Sequence, residues 1–256
     1  QKDTLHDALR TDRSRTVLAN SLSATWTRLT DAQKNTLMVS AQFDQSSSIA
    51  ALQDLLPEHD TERIIEELVD QSLMIPELHG SMVRYRLMRP LGWYVSTLPM
   101  DAILQQRLKQ WMSRQITATY QTLWTQSCPF RPWNSYNHLN EETSHMVETW
   151  VKHWSMLTAN VQVQLALVAS EFWVHAGPRV RGLDLLTRVL KTNLSDAAQC
   201  EVLMMHSVLY RTLQRFDESK QWLQRAKACA ERLNNGPLLA RVLSLQSMLH
   251  IVYGEL

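Results

Sequence analysis

The segment ERIIEELVDQSLMIPELHGSMVRYRLM, from Glu62 to Met88, places a helical pattern directly before a β-ribbon pattern. In its first part, Ile64–Val69, apolar residues recur at the spacing of an amphipathic helix. In its second part, residues 82–87 alternate with a period of two, which is typical of a strand. His-Gly-Ser at residues 79–81 supplies the turn. A helix that leads into a two-stranded ribbon predicts a winged helix.

Further helices are expected before this segment. The stretch from His6 to Phe43 is typical of two helices, and Thr30-x-x-Gln33 is a capping box that opens the second. A short helix, SIAALQDLL, follows at residues 48–56. Together with the ribbon and the closing stretch LGWYVSTL, these elements predict a winged-helix domain with N-terminal helices over residues 1–98.

Residues 99–160 are expected to form a helical linker region. Asp101–Gln126 is typical of one long helix, and Glu141–Leu157 of another. Between them, Ser127–Ser135 has two prolines and no helical period, which predicts a loop.

A weak internal repeat occupies residues 161–256. EFWVHAGPRVRGLDLLTRVLK (171–191) matches VLYRTLQRFDESKQWLQRAKA (208–228) after a shift of 37 residues, and a further shift of 40 extends the match. Small residues recur at the places where paired helices would cross: Ser170, Ser207 and Ser247 on one side, and Gly182 and Ser219 on the other. Two helices in a unit of this length are typical of a tetratricopeptide-like α-solenoid. The expected fold is therefore mainly α, a winged helix with a two-stranded β wing followed by such a solenoid.

The third repeat breaks off after its first helix, at VYGEL. A solenoid that stops there leaves an apolar face uncapped. We therefore expect this chain to be a fragment of a longer protein, with the repeat array truncated at the C-terminus.

Composition narrows the class of protein. The chain has 256 residues, 45% hydrophobic and 20% charged, with six glycines and eight prolines, which favours a folded helical protein. A formal net charge of +1 gives no general attraction to nucleic acid or to an anionic membrane. Three scattered cysteines, no signal-peptide pattern and no long apolar run predict a cytoplasmic protein without membrane association.

Motifs for catalysis are missing from the sequence. It contains no GxxxxGK[ST], GxGxxG, HExxH or GxSxG pattern. His138, His145 and His153 are spaced so that, on a helix, they would lie roughly 10–12 Å apart, too far to share a metal ion. We therefore expect no enzyme activity, no bound cofactor and no metal site in this chain.

The helix predicted at the start of the Glu62–Met88 segment has an acidic outward face. With Ile64, Ile65 and Leu68 turned to the core, four acids and one arginine face outward: Glu62, Arg63, Glu66, Glu67 and Asp70. DNA affinity depends first on Lys and Arg side chains that neutralise phosphates, so a face of net charge −3 is expected to dock on protein. Arg84, Arg86 and Arg89, on or beside the wing, are the side chains that could still touch a phosphate.

The first helices of the predicted repeats should line the concave side of the solenoid, where partners bind. The residues placed there are Glu171, Val174, His175, Glu201, Met204, Val208, Arg211, Arg241, Ser244 and Met248. Their mixed chemistry suits a peptide or helix from another protein, or from another domain of the same one, better than a phosphorylated metabolite. The alternative is that several of them pack against neighbouring helices.

Five stretches resemble the regulatory half of the signal-transduction ATPases with numerous domains, the STAND family. They are WTRLTDAQKNTLMVSAQF (26–43), IIEELVDQSLM (64–74), VRYRLMRPLGWYV (83–95), LALVASEFWVHAGPRVRGLDLLTRVLK (165–191) and QRFDESKQWLQRAKACAERL (214–233). The resemblance is to the bacterial branch that combines an NB-ARC-like ATPase with tetratricopeptide repeats and, often, a transcription-activator domain. These matches are hydrophobic patterns and include no catalytic signature.

The resemblance implies a regulatory segment whose ATPase core, with its ATP or ADP, would lie before Gln1. The winged helix would dock on that core, through Glu62, Glu66, Glu67, Asp70 and Arg89, and the array would sense a protein or a small-molecule inducer. In many relatives a His-Asp pair at the end of the wing senses the nucleotide. Met88 and Arg89 stand at those positions here, so the histidine is missing; Arg89 is a residue that could offer a substitute charge.

Two other interpretations stay open. One is a DNA-binding winged-helix transcriptional regulator with a helical effector domain. The other is a tetratricopeptide-type scaffold for protein–protein interaction that has no nucleotide-linked switching.

We predict that this chain neither hydrolyses ATP nor binds it tightly, because it has no phosphate-binding loop. Phosphate release should stay at the buffer level when the protein is repurified over a second column. Turnover that survives repurification and rises in proportion to protein concentration would contradict the prediction.

Overall fold

The computed structural model describes residues 12–80, 82–125 and 141–253. Twelve α-helices and one two-stranded antiparallel sheet lie within these residues. The predicted fold class is confirmed: the protein is mainly α, a helical solenoid with a small β wing. The chain divides into two compact units, residues 1–111 and 112–256. The three-part division into 1–98, 99–160 and 161–256 stays a prediction.

Unit 1 contains five helices, the wing and the beginning of a sixth helix. These are α1 (Asp12–Arg28), α2 (Asp31–Ser40), α3 (Ile49–Leu55), α4 (Thr61–Asp70), β1 (Met74–His79), β2 (Met82–Leu87), α5 (Arg89–Ser96) and α6 (Ala102–Thr125), which continues into unit 2. The predicted capping box opens α2: the Gln33 amide donates to Thr30 Oγ1 at 3.2 Å, and the Thr30 amide donates to Gln33 Oε1 at 3.0 Å. Two amides that the helix cannot satisfy itself are thereby paired.

The core of unit 1 gathers apolar side chains from the helices and from the base of the wing. It contains Leu22, Leu29, Leu37, Ile64, Leu68, Leu73, Met74, Leu87, Leu91 and Val95. Helix α4 buries Ile64, Ile65 and Leu68, the three residues that its periodicity turns to the core. This burial sets the rotation of α4 about its axis and leaves its acidic residues on the outside.

The wing pairs residues in register from Met74 with Leu87 to His79 with Met82. Gly80 has a φ of 57°, the left-handed conformation that glycine adopts without strain at the tight turn. Ser47, just before α3, adds an antiparallel bridge to Tyr85: each backbone amide donates to the other residue's carbonyl, at 2.8 and 2.9 Å. The sequence does not signal this bridge, which ties the base of the wing to the chain that precedes α3.

Unit 2 contains the rest of α6, a helix and a short turn, and then the helical pairs. Its elements are α7 (Glu141–Lys152), a 3₁₀ turn (Trp154–Met156), α8 (Ala159–Ala176), α9 (Arg179–Leu190), α10 (Asp196–Thr212), α11 (Phe216–Arg232) and α12 (Gly236–Tyr253). The helix expected over Glu141–Leu157 is therefore shorter, since α7 ends at Lys152. The loop predicted at residues 127–135 lies outside the described residues.

Small residues stand at the crossing points of both helical pairs, as predicted. Ser207 Oγ of α10 lies 3.0 Å from Ser219 Oγ of α11, and the Ser219 hydroxyl donates to the Ser207 carbonyl at 2.8 Å. In the preceding pair, a Cβ added at Gly182 of α9 would lie 3.2 Å from Ser170 Oγ of α8. Each contact joins residues twelve positions apart. Small side chains thus let the paired helices approach closely.

The first helices of successive pairs contact each other: α8 packs against α10, and α10 packs against α12. We call the side of the array formed by α8, α10 and α12 the inner face. Helices α9 and α11 each pack on the first helix of their own pair. This arrangement is that of a solenoid, in which each unit contacts its neighbours along one direction.

We predict that Ser219→Leu destabilises unit 2 by about 1–3 kcal/mol, because the larger side chain overpacks a fully buried crossing point. Gln221→Leu, on an exposed position of the same helix, is the matched control and should change stability by less than about 0.5 kcal/mol. Urea denaturation followed by circular dichroism measures both. Equal stability of the two variants would show that the crossing point tolerates a large side chain.

Candidate functional site

Two neighbouring helices bring opposite charges together on the inner face. Arg241 Nη1 of α12 lies 3.5 Å from Glu201 Oε1 of α10. The Glu201 side chain is 16% exposed and that of Arg241 32% exposed, so water screens the pair only in part. On α8, His175 Nε2 lies 3.8 Å from Glu171 Oε1. Four of the predicted concave-face residues are therefore engaged in pairs instead of projecting singly.

Two other predicted residues are less open than expected. Met204 is only 3% exposed and belongs to the apolar core shared by α10, α11 and α12. Placing Met204 along an open groove is therefore wrong: its apolar side chain gains more from burial between three helices than from lining the surface. Arg211 is half-buried, and this burial lowers the pKa of its guanidinium.

A contact between α6 and the inner face comes from residues outside the predicted set. The Tyr120 hydroxyl on α6 donates to Glu201 Oε2 at 2.6 Å, and the Thr117 hydroxyl, one turn earlier, donates to Gln164 Oε1 of α8 at 2.7 Å. Burial raises the pKa of Tyr120, and so does its hydrogen bond to the Glu201 carboxylate. The phenol therefore stays protonated and remains a donor at neutral pH.

No local motif marks Tyr120, which lies in the C-terminal third of the long helix α6. Its ring stacks on Trp124 with centroids 5.2 Å apart, which helps to hold it in place. The pattern of residues 101–126 predicts only that Tyr120 lies within a helix. Its partner on α10 lies 81 positions away in sequence, and no local pattern marks that pairing.

A second cluster lies inside the α10–α11 pair. The His206 ring stacks on the Trp222 ring with centroids 4.2 Å apart and an angle of 10° between planes. The Arg225 guanidinium lies over the same Trp222 ring, 4.8 Å from its centroid. Burial lowers the pKa of His206 to about 4, so this histidine acts as a neutral aromatic core residue.

Within residues 12–80, 82–125 and 141–253, no three His, Cys, Asp or Glu side chains are grouped to hold a metal ion. His138, one of the three histidines weighed from the sequence, lies outside these residues. Cys200 and Cys229 are free and buried, and burial raises the pKa of Cys200 to about 11, which keeps it a thiol.

The outward side of α4 is the second candidate surface. Glu62, Glu66 and Asp70 are exposed, and Glu67 is half-buried and accepts a hydrogen bond from Gln33 Nε2 at 3.0 Å. Arg63 lies on the same side, within 4.0 Å of Glu67. The described geometry therefore keeps the acidic face intact, with four carboxylates against one guanidinium.

Two of the three wing arginines are already engaged. Arg84 is fully buried, and its guanidinium donates to the Ser46 carbonyl at 2.7 Å and to Ser46 Oγ at 3.0 Å. The expectation that Arg84 could touch a phosphate is wrong, because the residues before α3 cover that side of the ribbon. Arg86 Nε lies 2.7 Å from Glu77 Oε1, and this bond holds the pKa of Glu77 below its ordinary value. Arg89, at the start of α5, is exposed.

Among the described helices, none combines the length and the apolar character that crossing a bilayer requires.

Comparison with known proteins gives one structural likeness. No protein-family model matches the sequence, and no curated protein matches it. The chain is similar to the crystal structure of a STAND protein with a tetratricopeptide repeat sensor from Pyrococcus horikoshii, at 12% identity and a TM-score of 0.41. The likeness covers 90% of this chain and 36% of that one, so the chain spans little more than a third of that protein's length.

We predict that His206 makes stability fall with acidification. The folded pKa of about 4 lies below the unfolded value of about 6.5, so the fold favours the neutral ring. This contribution to the free energy of unfolding is fully present above pH 6.5 and is lost as the pH falls toward 4. The loss is at most roughly 3 kcal/mol. Urea denaturation at pH 7.5 and 4.5 measures the free energy of unfolding that is lost on acidification. This loss should be smaller for His206→Phe, which keeps an aromatic ring but cannot titrate, than for the unaltered chain. Equal losses in the two proteins would contradict this.

Proposed function

We propose that this chain is a non-catalytic regulatory segment of a STAND-type signalling ATPase or transcriptional regulator that works in the cytoplasm. In this proposal unit 1 is a winged-helix domain that docks on a protein surface. The helical array senses a protein partner or a small-molecule inducer and contributes to autoinhibition. ATP or ADP would bind to a separate ATPase domain, with none bound by this chain.

One observation carries the docking role, the exposed acidic face of α4. A helix that enters the major groove must bring positive charge close to phosphates. Here Glu62, Glu66 and Asp70 would be repelled from them, while two of the wing arginines are held by Ser46 and Glu77. A basic protein surface would complement the same face. Docking on protein is therefore favoured over docking on DNA.

The inner face supports the sensing role. It presents opposite charges, as in Glu201 with Arg241, next to half-buried side chains such as Val208 and Arg211. Such a mixture offers hydrogen bonds to a peptide or helix along with apolar contact. It offers no concentrated positive charge to hold a phosphorylated metabolite.

A DNA-binding regulator is the second candidate, and the exposure of Arg89 beside the wing favours it. One exposed arginine gives weak, sequence-independent contact, since phosphate contacts position a protein without reading bases. A scaffold without nucleotide-linked switching is the third, favoured by Met88 where the resemblance would place a histidine.

We predict that replacing Glu62, Glu66 and Asp70 together by lysine raises non-specific DNA affinity about tenfold or more at low salt. The new affinity should fall steeply with salt. In a plot of the logarithm of the binding constant against the logarithm of the salt concentration, each added phosphate contact should steepen the slope by roughly one unit. Fluorescence anisotropy with a labelled duplex measures both. Glu67 is left unchanged because it accepts the Gln33 hydrogen bond.

The control carries the same charge change on the array, at the exposed residues Asp184, Asp217 and Glu231. If the carboxylates of α4 are what keep DNA away, only the first variant should gain DNA affinity strongly. Sequence-selective binding by the unaltered chain that resists salt would overturn the docking proposal and favour the DNA-binding regulator.

A further inference from the structure

We propose that the inner face between α8 and α10 is a binding groove for an α-helix, and that the distal half of α6, residues 112–125, occupies it in the resting state. The inference rests on the proposed sensing role and deepens it, since it states what kind of partner the array accepts. A partner helix would bind by replacing the distal half of α6.

The path of α6 is the first argument. Thr117 bonds to Gln164 of α8, and Tyr120 bonds to Glu201 of α10. In a regular solenoid each helix contacts the units next to it, so a helix stacked before α8 would reach α8 and stop there. The distal half of α6 instead touches the first helices of two successive pairs. It therefore lies across the inner face instead of extending the stack.

The side that α6 turns inward has the pattern of a groove-binding helix. Ile116, Tyr120 and Leu123 stand at positions i, i+4 and i+7, with both apolar residues buried and the tyrosine half-buried. Amphipathic helices that bind grooves use anchors at this spacing. On the opposite side, Arg114, Ala118 and Gln121 are exposed. The distal half of α6 thus has the form of a bound ligand helix.

Glu201 shows which chemistry the groove requires. One carboxylate oxygen accepts the Tyr120 hydroxyl, and the other faces Arg241. If α6 leaves, Arg241 still faces one oxygen, and the second oxygen loses the Tyr120 hydroxyl, which water or a partner would replace. A helix with a tyrosine, or another neutral donor, between two apolar anchors would supply that hydrogen bond. Exchange then replaces one hydrogen bond by an equivalent one, so this bond by itself favours neither helix.

The test uses the full chain and a defined probe, a fluorescent peptide of residues 112–125, MSRQITATYQTLWT. Tyr120→Phe in the chain removes the hydroxyl but keeps the ring that stacks on Trp124. We expect this variant to bind the peptide at least about tenfold more tightly than the unaltered chain, whose groove is filled. Tyr210→Phe, within the α10–α11 stack, is the matched control and should bind like the unaltered chain.

A peptide that itself carries Tyr120→Phe should lose most of the gain, because it offers Glu201 no donor. Glu201→Gln in the Tyr120→Phe chain should lower the preference for the tyrosine peptide in the same way. If the Tyr120→Phe chain does not fold, Thr117→Val, which removes the other hydrogen bond of α6, replaces it in the same assay. The peptide is expected to bind that variant more tightly as well.

The proposal is overturned if the folded variants bind the peptide no better than the control, or if both peptides bind equally. Hydrogen exchange provides an independent measure. Amides of residues 112–125 should exchange faster than those of α8 in the unaltered chain, and equally slow exchange would mark α6 as a fixed part of the fold. Salt-resistant, sequence-selective DNA binding by the unaltered chain would contradict the proposed regulatory function. It would not contradict a groove that binds the peptide, so the two proposals can fail separately.

Discussion

The array depends on how closely its paired helices approach each other at small residues. Ser207 and Ser219 are buried polar groups, and they are tolerated because each hydroxyl has a partner in the other helix. This contact fixes the rotation of α10 about its own axis. Glu201 lies six residues before Ser207, and at 100° per residue it points to a different side of the helix. The crossing point therefore also decides that Glu201 reaches the inner face.

Unit 1 depends on a different constraint, the buried Arg84. Its guanidinium takes the Ser46 carbonyl and hydroxyl as acceptors, while Ser47 pairs with Tyr85 on the same strand. These hydrogen bonds offset part of the cost of burying the charge, so the two serines and the wing hold one another in position. Unit 1, which carries the acidic face of α4, therefore has a wing that Ser46 and Ser47 hold in place.

Much of this could be predicted from local patterns. The period of α4 identified its buried side, Thr30 and Gln33 marked the start of α2, and recurring small residues indicated the helical pairs. These features depend on neighbours within one or two turns, or on a repeated spacing. They are therefore visible in the sequence without knowledge of the tertiary fold.

The errors came from contacts between distant segments. Alternation along β2 placed Arg84 on the side away from the core, and only the fold shows that the residues before α3 cover that side. The helical register turned Met204 toward the groove, but three helices meet at that position. Tyr120 could not be selected because its role depends on where α6 passes the array. A pattern along one element does not reveal which other element lies against it.

The spacing of the crossing points has a consequence for how such arrays change by duplication and insertion. Ser170 and Gly182 are twelve residues apart, and so are Ser207 and Ser219, whereas successive serines lie 37 and then 40 residues apart. The number of residues between the two crossing positions within a helical pair, or hairpin, is constant, and the number between successive hairpins is not. An inserted residue inside a hairpin would bring a large side chain to the crossing, while one in the connection between hairpins leaves it intact. Length variation among copies should therefore collect in those connections, and a whole hairpin is the unit that can be gained or lost.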